Sequence, residues 1–214
     1  MKRLVTVVTG GSRGIGAATC RRLAEDGHDV VVACLRDTQA AEEVAEAVRR
    51  AGARAVCVPG DTSVEADVER LFTVAEKQLG PVTGLVNNAG LTVPSGRLAD
   101  TAPAGLRRVV EVNLLGTLLC SRRAARVMTA RGNGVIVNVM PWTATPGDPV
   151  HHAVTKAAVD ALTLSLAKEL GPDGIRVNAV EPGNTEEVAA AIAWLMSPDA
   201  SYATGTVIRV TGGR

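Results

Sequence analysis

The sequence predicts an α/β fold in which about seven parallel strands form one doubly wound sheet with helices on both faces. Three observations indicate this class. Short runs rich in β-branched residues recur along the chain, helical stretches separate them, and a glycine-rich turn joins the first run to the first helix. Parallel neighbours need crossover connections, which are right-handed, so strict alternation of strand and helix is typical of a parallel sheet covered on both sides.

The strands are predicted from short apolar runs that read as buried on both faces. In chain order they are LVTVVT (4–9), DVVVAC (29–34), RAVCV (54–58), VTGLVN (82–87), GVIVNV (134–139), IRVNAV (175–180) and TVIRV (206–210). Two of the intervening helices show clear helical spacing of apolar residues. These residues are Val64, Val68, Leu71, Phe72 and Ala75 in one helix, and Val188, Ile192 and Leu195 in the other.

Composition predicts a single domain over residues 1–214 and limits the classes of partner. The chain is 46% hydrophobic and 21% charged, and its 23 basic and 22 acidic residues are interspersed, with a net charge of +1. That balance offers no electrostatic footprint for nucleic acid or an anionic membrane. No apolar run approaches membrane-spanning length, so we expect a cytoplasmic protein.

The four cysteines are scattered along the chain without a Cys-x-x-Cys pair or a Cys/His cluster. They are Cys20, Cys34, Cys57 and Cys120. This spacing favours reduced thiols, and we expect no metal site.

A glycine-rich turn, Thr9-Gly10-Gly11-Ser12-Arg13-Gly14-Ile15-Gly16, follows the first strand and opens the first helix. Glycines allow a tight turn and let the backbone approach a pyrophosphate at the helix N-terminus, where amide groups and the helix dipole favour anions. The position after the first strand of a parallel sheet therefore predicts a Rossmann-like dinucleotide site.

Several motifs in this order resemble the short-chain dehydrogenase/reductase family over nearly the whole chain. The motifs are Thr-Gly-x-x-x-Gly-Ile-Gly, Asp61, Asn87-Asn88-Ala89-Gly90, Asn113, Lys156, and an Arg-Val-Asn-x-Val-x-Pro-Gly segment that ends at Pro182-Gly183. The resemblance implies a nicotinamide dinucleotide cofactor and a small-molecule substrate.

The resemblance also implies which residues bind the cofactor. The glycine turn would hold the diphosphate, Asp61 would face the adenine, the segment from Asn87 to Gly90 would lie beside the adenosine ribose, and Lys156 would contact the nicotinamide ribose. The full set of cofactor residues is Thr9, Gly10, Ser12, Arg13, Gly14, Ile15, Gly16, Arg36, Asp61, Asn87, Ala89, Gly90, Lys156, Pro182 and Gly183.

Charge at the end of the second strand predicts a preference for NADP(H) over NAD(H). Relatives that prefer NAD carry an acidic residue there to hold the ribose diol, whereas this chain reads Cys34-Leu35-Arg36. Arg13 and Arg36 could instead form a fork for a 2′-phosphate, which suits the planar donors of arginine.

The family pattern breaks at the proton-handling residue. The family carries tyrosine four residues before the lysine, but position 152 is His152, and the chain's one tyrosine, Tyr202, lies near the last strand. The family's serine after the fifth strand is missing as well, which leaves Thr143 or Thr145 as imperfect hydroxyl candidates. The predicted catalytic set is therefore His152, Lys156 and Asn113, with Asn113 in a water relay.

A second departure follows Pro182-Gly183, where relatives carry a substrate-covering segment. This chain passes through Asn184 and Thr185 directly into a helix. An active site without such a cover loses water exclusion and substrate orientation unless a partner subunit supplies them. We expect a homodimer or homotetramer, because the predicted helix Ala153–Leu170 is apolar on more than one face.

Three functions fit these departures. The first is an NADP(H)-dependent oxidoreductase on a carbonyl or alcohol with His152 in the tyrosine's place. The second is a redox-neutral isomerase, dehydratase or cyclase that uses His152 as a base, since a helix N-terminus and Lys156 both favour a neutral imidazole. The third is a non-catalytic nucleotide-binding partner subunit.

Overall fold

The computed structural model describes residues 3–93, 97–140 and 149–212, and its centre is a seven-stranded parallel sheet. All seven predicted strands are present. They are β1 Leu4–Val8, β2 His28–Cys34, β3 Ala55–Pro59, β4 Gly84–Asn87, β5 Gly134–Val139, β6 Ile175–Glu181 and β7 Val207–Arg209. Valine and isoleucine dominate the central strands, and every residue of β2 is buried.

The strand order is β3-β2-β1-β4-β5-β6-β7. Strands β2 and β3 lie in chain order on one side of β1, and β4 lies on the other side of β1. Val8 of β1 is paired with Val32 of β2 on one side and Val86 of β4 on the other. Ligands in sheets of this kind bind at the carboxyl ends of the strands where the order reverses, here between β1 and β4.

Helices cover both faces of the sheet, as predicted. They are α1 Gly14–Glu25, α2 Thr38–Arg50, α3 Glu65–Gln78, α4 Pro103–Val110, α5 Thr117–Thr129, α6 Val150–Leu170 and α7 Thr185–Met196. One apolar core lies between the sheet and α1, α2 and α7, and a second lies between the sheet and α3, α5 and α6. Both of the predicted apolar helix faces are buried in these cores apart from Val64.

Two helix boundaries differ from the sequence prediction. Val64 precedes α3 and is 45% exposed, because residues 61–64 form a turn in which the amide of Val64 bonds to the carbonyl oxygen of Asp61. Helix α6 starts at Val150 rather than Ala153, so both adjacent histidines lie in its first turn. Between α4 and α5 the backbone forms a π-helical segment, Glu111–Gly116, which the sequence did not indicate.

Candidate functional site

The glycine turn connects β1 to α1 at the carboxyl edge of the sheet. Gly10 and Gly14 have φ angles of 63° and 51°, in the left-handed region that favours glycine. A Cβ atom at Gly16 would overlap the carbonyl oxygen of Gly10, whereas a Cβ atom at Gly14 would meet nothing within 4 Å. The turn is therefore tight on its inner side and open on its outer side.

The N-terminus of α1 has no side-chain cap. Arg13 occupies the capping position in extended conformation, and its side chain bonds to no amide of the first turn. The amides that begin a helix need a partner, and a phosphate supplies one. An uncapped helix start beside open space could accept the diphosphate of a dinucleotide, and the diphosphate-binding role of Thr9 to Gly16 remains a prediction.

Asn88 holds the glycine turn against the loop that follows β4. Its Nδ2 atom donates to the carbonyl oxygens of Thr9 and Gly10, each at 3.0 Å. In return, the hydroxyl oxygen of Thr9 accepts from the amides of Asn88 and Ala89, also at 3.0 Å. These four bonds connect the ends of β1 and β4, so they fix the point where the strand order reverses.

A cavity of about 320 Å³ lies beside this junction. Six of the predicted cofactor residues line it, namely Gly10, Ser12, Arg13, Asp61, Ala89 and Gly90. Nine lining residues were not in the predicted set: Ala33, Cys34, Leu35, Gly60, Thr62, Asn88, Leu91, Arg108 and Val112. They come from four separate parts of the chain, and a sequence motif signals only Asn88 among them.

Arg13 and Arg36 differ in position relative to this cavity. Both side chains are exposed, but only Arg13 lines the cavity, while Leu35 occupies the wall next to the end of β2. Asp37 caps α2 by accepting from the amide of Ala40 at 3.1 Å and does not line the cavity. The described cavity wall therefore has no carboxylate at the end of β2, as the sequence indicated.

Asp61 follows β3 and lines the cavity together with Arg108 of α4. The Nη2 atom of Arg108 donates to Oδ2 of Asp61 at 2.5 Å, and the hydroxyl of Ser63 donates to Oδ1 at 2.6 Å. Burial alone would raise the pKa of Asp61, but these hydrogen bonds outweigh it and hold the pKa below its ordinary value. Asp61 is therefore ionised and already paired.

A chain of buried polar side chains runs across the sheet beneath the site. Asn87 donates from Nδ2 to Oγ of Ser121 at 3.0 Å and to Oδ1 of Asn138 at 2.9 Å. Asn138 in turn donates to Oγ1 of Thr163 at 2.9 Å. All four side chains are at most 5% exposed. Such a fully bonded network fixes α5, β4, β5 and α6 relative to one another, and Asn87 belongs to it rather than to the cavity wall.

Asn113 lies in the π-helical segment and is 5% exposed. Its Oδ1 atom accepts from the amide of Leu91 at 2.7 Å, and its Nδ2 atom donates to the carbonyl oxygen of Leu91 at 3.0 Å. The side chain is thus used to hold the loop after β4. π-Helical turns are frequent at functional sites, but the predicted water relay through Asn113 remains a prediction.

The two adjacent histidines occupy different environments in the first turn of α6. His151 is 7% exposed, and its Nε2 atom has no hydrogen-bond partner within the described chain. His152 is half-buried, and the two rings meet edge to face with centroids 4.9 Å apart. The backbone of Lys156 follows one turn after His152 on α6.

The segment after β6 is short. Three residues, 182–184, separate Glu181 from α7, which Asn184 caps by accepting from the amide of Glu186 at 3.3 Å. A Cβ atom at Gly183 would overlap the carbonyl oxygen of Val210, so this position requires glycine. The connection between β6 and α7 is therefore only three residues long, and the predicted lack of a covering segment remains a prediction.

Other candidate residues lie elsewhere or outside the described residues. Tyr202 is fully exposed in a turn after α7, on the rim of a groove at the amino-terminal edge of the sheet. Thr143 and Thr145, the candidate hydroxyls, lie outside the described residues. Glu181 is buried and accepts from Nε of Arg209 at 3.0 Å.

The described residues contain no group of three or more side chains suited to hold a metal ion. None of the helices described is long and apolar enough to cross a membrane. The four cysteines are free, and burial raises the pKa of Cys57 and of Cys120 to about 12.

Comparison with known proteins identifies relatives of this arrangement. The model of the short chain dehydrogenase family matches residues 4–194. A cis-4-hydroxycyclohexanecarboxylate dehydrogenase from Sinomonas cyclohexanicum is 38% identical over 239 residues, which cover 98% of this chain and 95% of the relative. A 3beta-hydroxysteroid dehydrogenase 1 from Eggerthella lenta is 36% identical over 252 residues, which cover 100% of this chain and 94% of the relative.

An uncharacterized oxidoreductase from Escherichia coli, YgfF, is 35% identical over 245 residues, covering 98% of this chain and 99% of the relative. This alignment of 245 positions is longer than the 214 residues of the chain, so part of the relative has no counterpart here. Among solved structures, a short-chain type dehydrogenase/reductase from Mycobacterium marinum superposes with a TM-score of 0.91 at 29% identity, covering 98% of this chain and 94% of that one.

Proposed function

Because the chain belongs to the short-chain dehydrogenase family, whose members are oxidoreductases that use a nicotinamide cofactor on small molecules, we propose that it is an NADP(H)-dependent enzyme. It interconverts a carbonyl and an alcohol, with His152 in the place of the family's tyrosine. The observation that carries the proposal is the uncapped glycine turn beside the cavity that Arg13 and Asp61 line. Relatives with dehydrogenase names favour this reaction over a redox-neutral or non-catalytic role.

The chemistry divides between cofactor and protein. A bound nicotinamide supplies or accepts the hydride at the carbonyl carbon. His152 gives a proton to the substrate oxygen during reduction and removes it during oxidation, which is the role of a general acid and base. A neutral imidazole is the better base, so His152 favours the direction that oxidises the alcohol. Lys156, one turn later, holds the nicotinamide ribose.

The preference for NADP(H) rests on charge. Arg13 lines the cavity without a hydrogen bond to any described residue, so its guanidinium is available to a phosphate. The described wall offers no carboxylate at the end of β2 to hold a ribose diol. Arg36 is exposed one residue beyond Leu35 and would act as a second, weaker contact.

A second copy of the chain is proposed to cover the open substrate side. The positions missing relative to the relatives are assigned to the short connection between β6 and α7, which leaves that side without its own cover. Helix α6 carries an exposed apolar stripe that begins beside the histidines, and the family is generally oligomeric. The stripe consists of Val150, Val154, Ala157, Ala161 and Leu164. We therefore propose a homodimer or homotetramer.

The proposal is tested by calorimetric titration with NADPH and NADH, followed by a panel of carbonyl compounds and alcohols monitored at the nicotinamide absorbance band. Tighter binding of NADPH together with turnover is the expected result. Equal affinity for the two cofactors would contradict the NADP preference. Tight binding without turnover of any substrate would support the redox-neutral or non-catalytic alternatives.

A further inference from the structure

The charge of the cavity depends on three side chains. Among the described lining residues, only Arg13, Asp61 and Arg108 are charged at neutral pH. Two guanidinium groups and one carboxylate give a net charge of +1. A 2′-phosphate adds about −1.5 to −2 charges to the adenosine end of a dinucleotide. The net charge of the cavity therefore affects which dinucleotide binds more tightly.

Arg108 is held in the cavity wall by three acceptors. Besides its bond to Asp61 at 2.5 Å, its Nη1 atom donates to Oγ of Ser63 at 2.8 Å and approaches Oε2 of Glu111 at 3.4 Å. Ser63 also bonds to Asp61, through its hydroxyl at 2.6 Å and its amide at 2.9 Å. Arg108, Asp61 and Ser63 therefore form a closed triangle between α4 and the loop after β3.

The pairing is partly shielded from water. The side chains of Arg108 and Asp61 are 33% and 22% exposed, so screening by solvent is weaker than at an open surface. Burial alone would lower the pKa of Arg108, but its carboxylate partners outweigh this and raise it. Both groups stay ionised, and each cancels the other's charge.

We propose that Arg108 determines the cofactor selectivity of this cavity, because it neutralises Asp61 and leaves Arg13 as the uncompensated charge that meets the 2′-phosphate. This inference rests on the proposed function. Without Arg108, Asp61 would keep its hydrogen bonds from Ser63 but lose its ion pair, and its charge would repel the additional phosphate of NADP(H). NAD(H), which lacks that phosphate, would be repelled less. Arg108 is thus a selectivity-determining residue supplied by α4, a helix outside the glycine turn and the end of β2.

The experiment compares Arg108→Gln, Asp61→Asn and the double variant by calorimetric titration with NADPH and NADH. Coulomb repulsion between an Asp61 without its ion pair and the 2′-phosphate predicts that Arg108→Gln lowers the ratio of NADPH to NADH affinity by about tenfold at low salt, and less at high salt. The double variant removes both charges, so it should return the ratio to within about twofold of the unsubstituted protein. Arg108→Lys keeps the charge and should lose less than Arg108→Gln.

Arg107→Gln is the matched control. Arg107 precedes Arg108 on α4, is exposed, and does not line the cavity. Arg107→Gln changes the net charge by the same amount as Arg108→Gln and should leave the ratio of NADPH to NADH affinity unchanged. The unfolding midpoint of each variant, measured alongside, shows whether the protein remains folded, and Arg108→Lys together with the double variant keeps the test decisive if Arg108→Gln unfolds.

Three results would overturn the inference. These are an equal loss of NADPH and NADH affinity in Arg108→Gln, no recovery in the double variant, or an equal shift in Arg107→Gln. Failure of the proposed function looks different, because the unsubstituted protein would then bind neither NADPH nor 2′,5′-ADP, and there would be no selectivity for Arg108 to determine. Titration of the unsubstituted protein with 2′,5′-ADP and 5′-AMP separates the two failures.

Discussion

The two halves of the site differ in how closely they follow the family. On the nucleotide side, the glycine turn, Asn88 and Asp61 form a dense set of short hydrogen bonds around a defined cavity. On the substrate side, position 152 is a histidine and three residues connect β6 to α7. Under the proposed function, the nucleotide side follows the family pattern and the substrate side departs from it. Binding and chemistry should therefore respond to different substitutions.

The largest expected effect is a loss of dinucleotide affinity caused by a substitution in the glycine turn. In Gly16→Ala the new methyl group would overlap the carbonyl oxygen of Gly10 and lie 2.6 Å from Nδ2 of Asn88, which forces the turn open. We expect dinucleotide affinity to fall by about a hundredfold or more, equivalent to ~2.7 kcal/mol. Calorimetry measures the loss. Gly171→Ala, where a methyl group meets nothing within 4 Å, is the control. A Gly16→Ala protein that binds within threefold of normal would refute this description of the turn.

The next effect isolates the substrate side. His152→Ala should lower turnover on the order of a hundredfold, as expected for a lost acid/base group, while dinucleotide affinity changes little. His151→Ala should leave turnover nearly unchanged, because His152 and Lys156 share a face of α6 and His151 is rotated about 100° from it. Steady-state kinetics on both variants decide the point. Equal turnover of His152→Ala and the unsubstituted protein would mean that this histidine handles no proton.

The proposed cover of the open side gives a third test. Leu164 is 48% exposed in the apolar stripe of α6. If a second copy buries it, Leu164→Glu places an unpaired charge in the interface and should raise the dissociation constant of the oligomer at least about tenfold. Light scattering at micromolar protein measures the mass, and Leu98→Glu, at a leucine 52% exposed outside the stripe, is the control. A mass of 22 kDa for the unsubstituted protein would contradict the oligomer itself.

The smallest effect concerns the pH dependence of stability and involves the buried His28. His28 lies at the opposite edge of the sheet, where its Nδ1 atom and Oγ1 of Thr6 are 2.8 Å apart. Burial lowers its pKa below the ordinary value of 6.5. The unfolded chain therefore binds the proton more readily than the folded chain. The free energy of unfolding has its full value above pH 6.5 and decreases as the pH falls toward the lower pKa of His28 in the folded protein. The slope is at most about 1.4 kcal/mol per pH unit.

Chemical denaturation between pH 5 and 8 tests this prediction. His28→Gln should flatten the slope. A slope that stays the same in His28→Gln would contradict the assignment to His28.

The sequence predicted the parts of the molecule that depend on local pattern. All seven strands and the glycine turn follow from runs of valine and from the spacing of glycine. The pairing of Arg108 with Asp61 did not follow, because 47 residues separate them and only the order of the strands brings α4 beside β3. The same holds for the bond between Asn87 and Asn138, which joins neighbouring strands 51 residues apart in the chain.

A polar residue in an apolar strand was the available signal for that buried network. GVIVNV places Asn138 among valines, where an unpaired amide would be costly, so a partner had to exist. The sequence could not name the partner. The residue spacing also did not indicate the π-helical segment or the local turn that leaves Val64 exposed.

Hydride transfer itself gives the most direct test of the central claim that this chain is an NADP(H)-dependent oxidoreductase. NADPH carrying deuterium at both C4 positions is incubated with the protein and a panel of ketones and aldehydes, and the products are analysed by mass spectrometry. We expect an alcohol one deuterium heavier than the unlabelled product, and a yield reduced on the order of a hundredfold with His152→Ala. Unlabelled product, or no alcohol from any carbonyl despite tight NADPH binding, would contradict the claim.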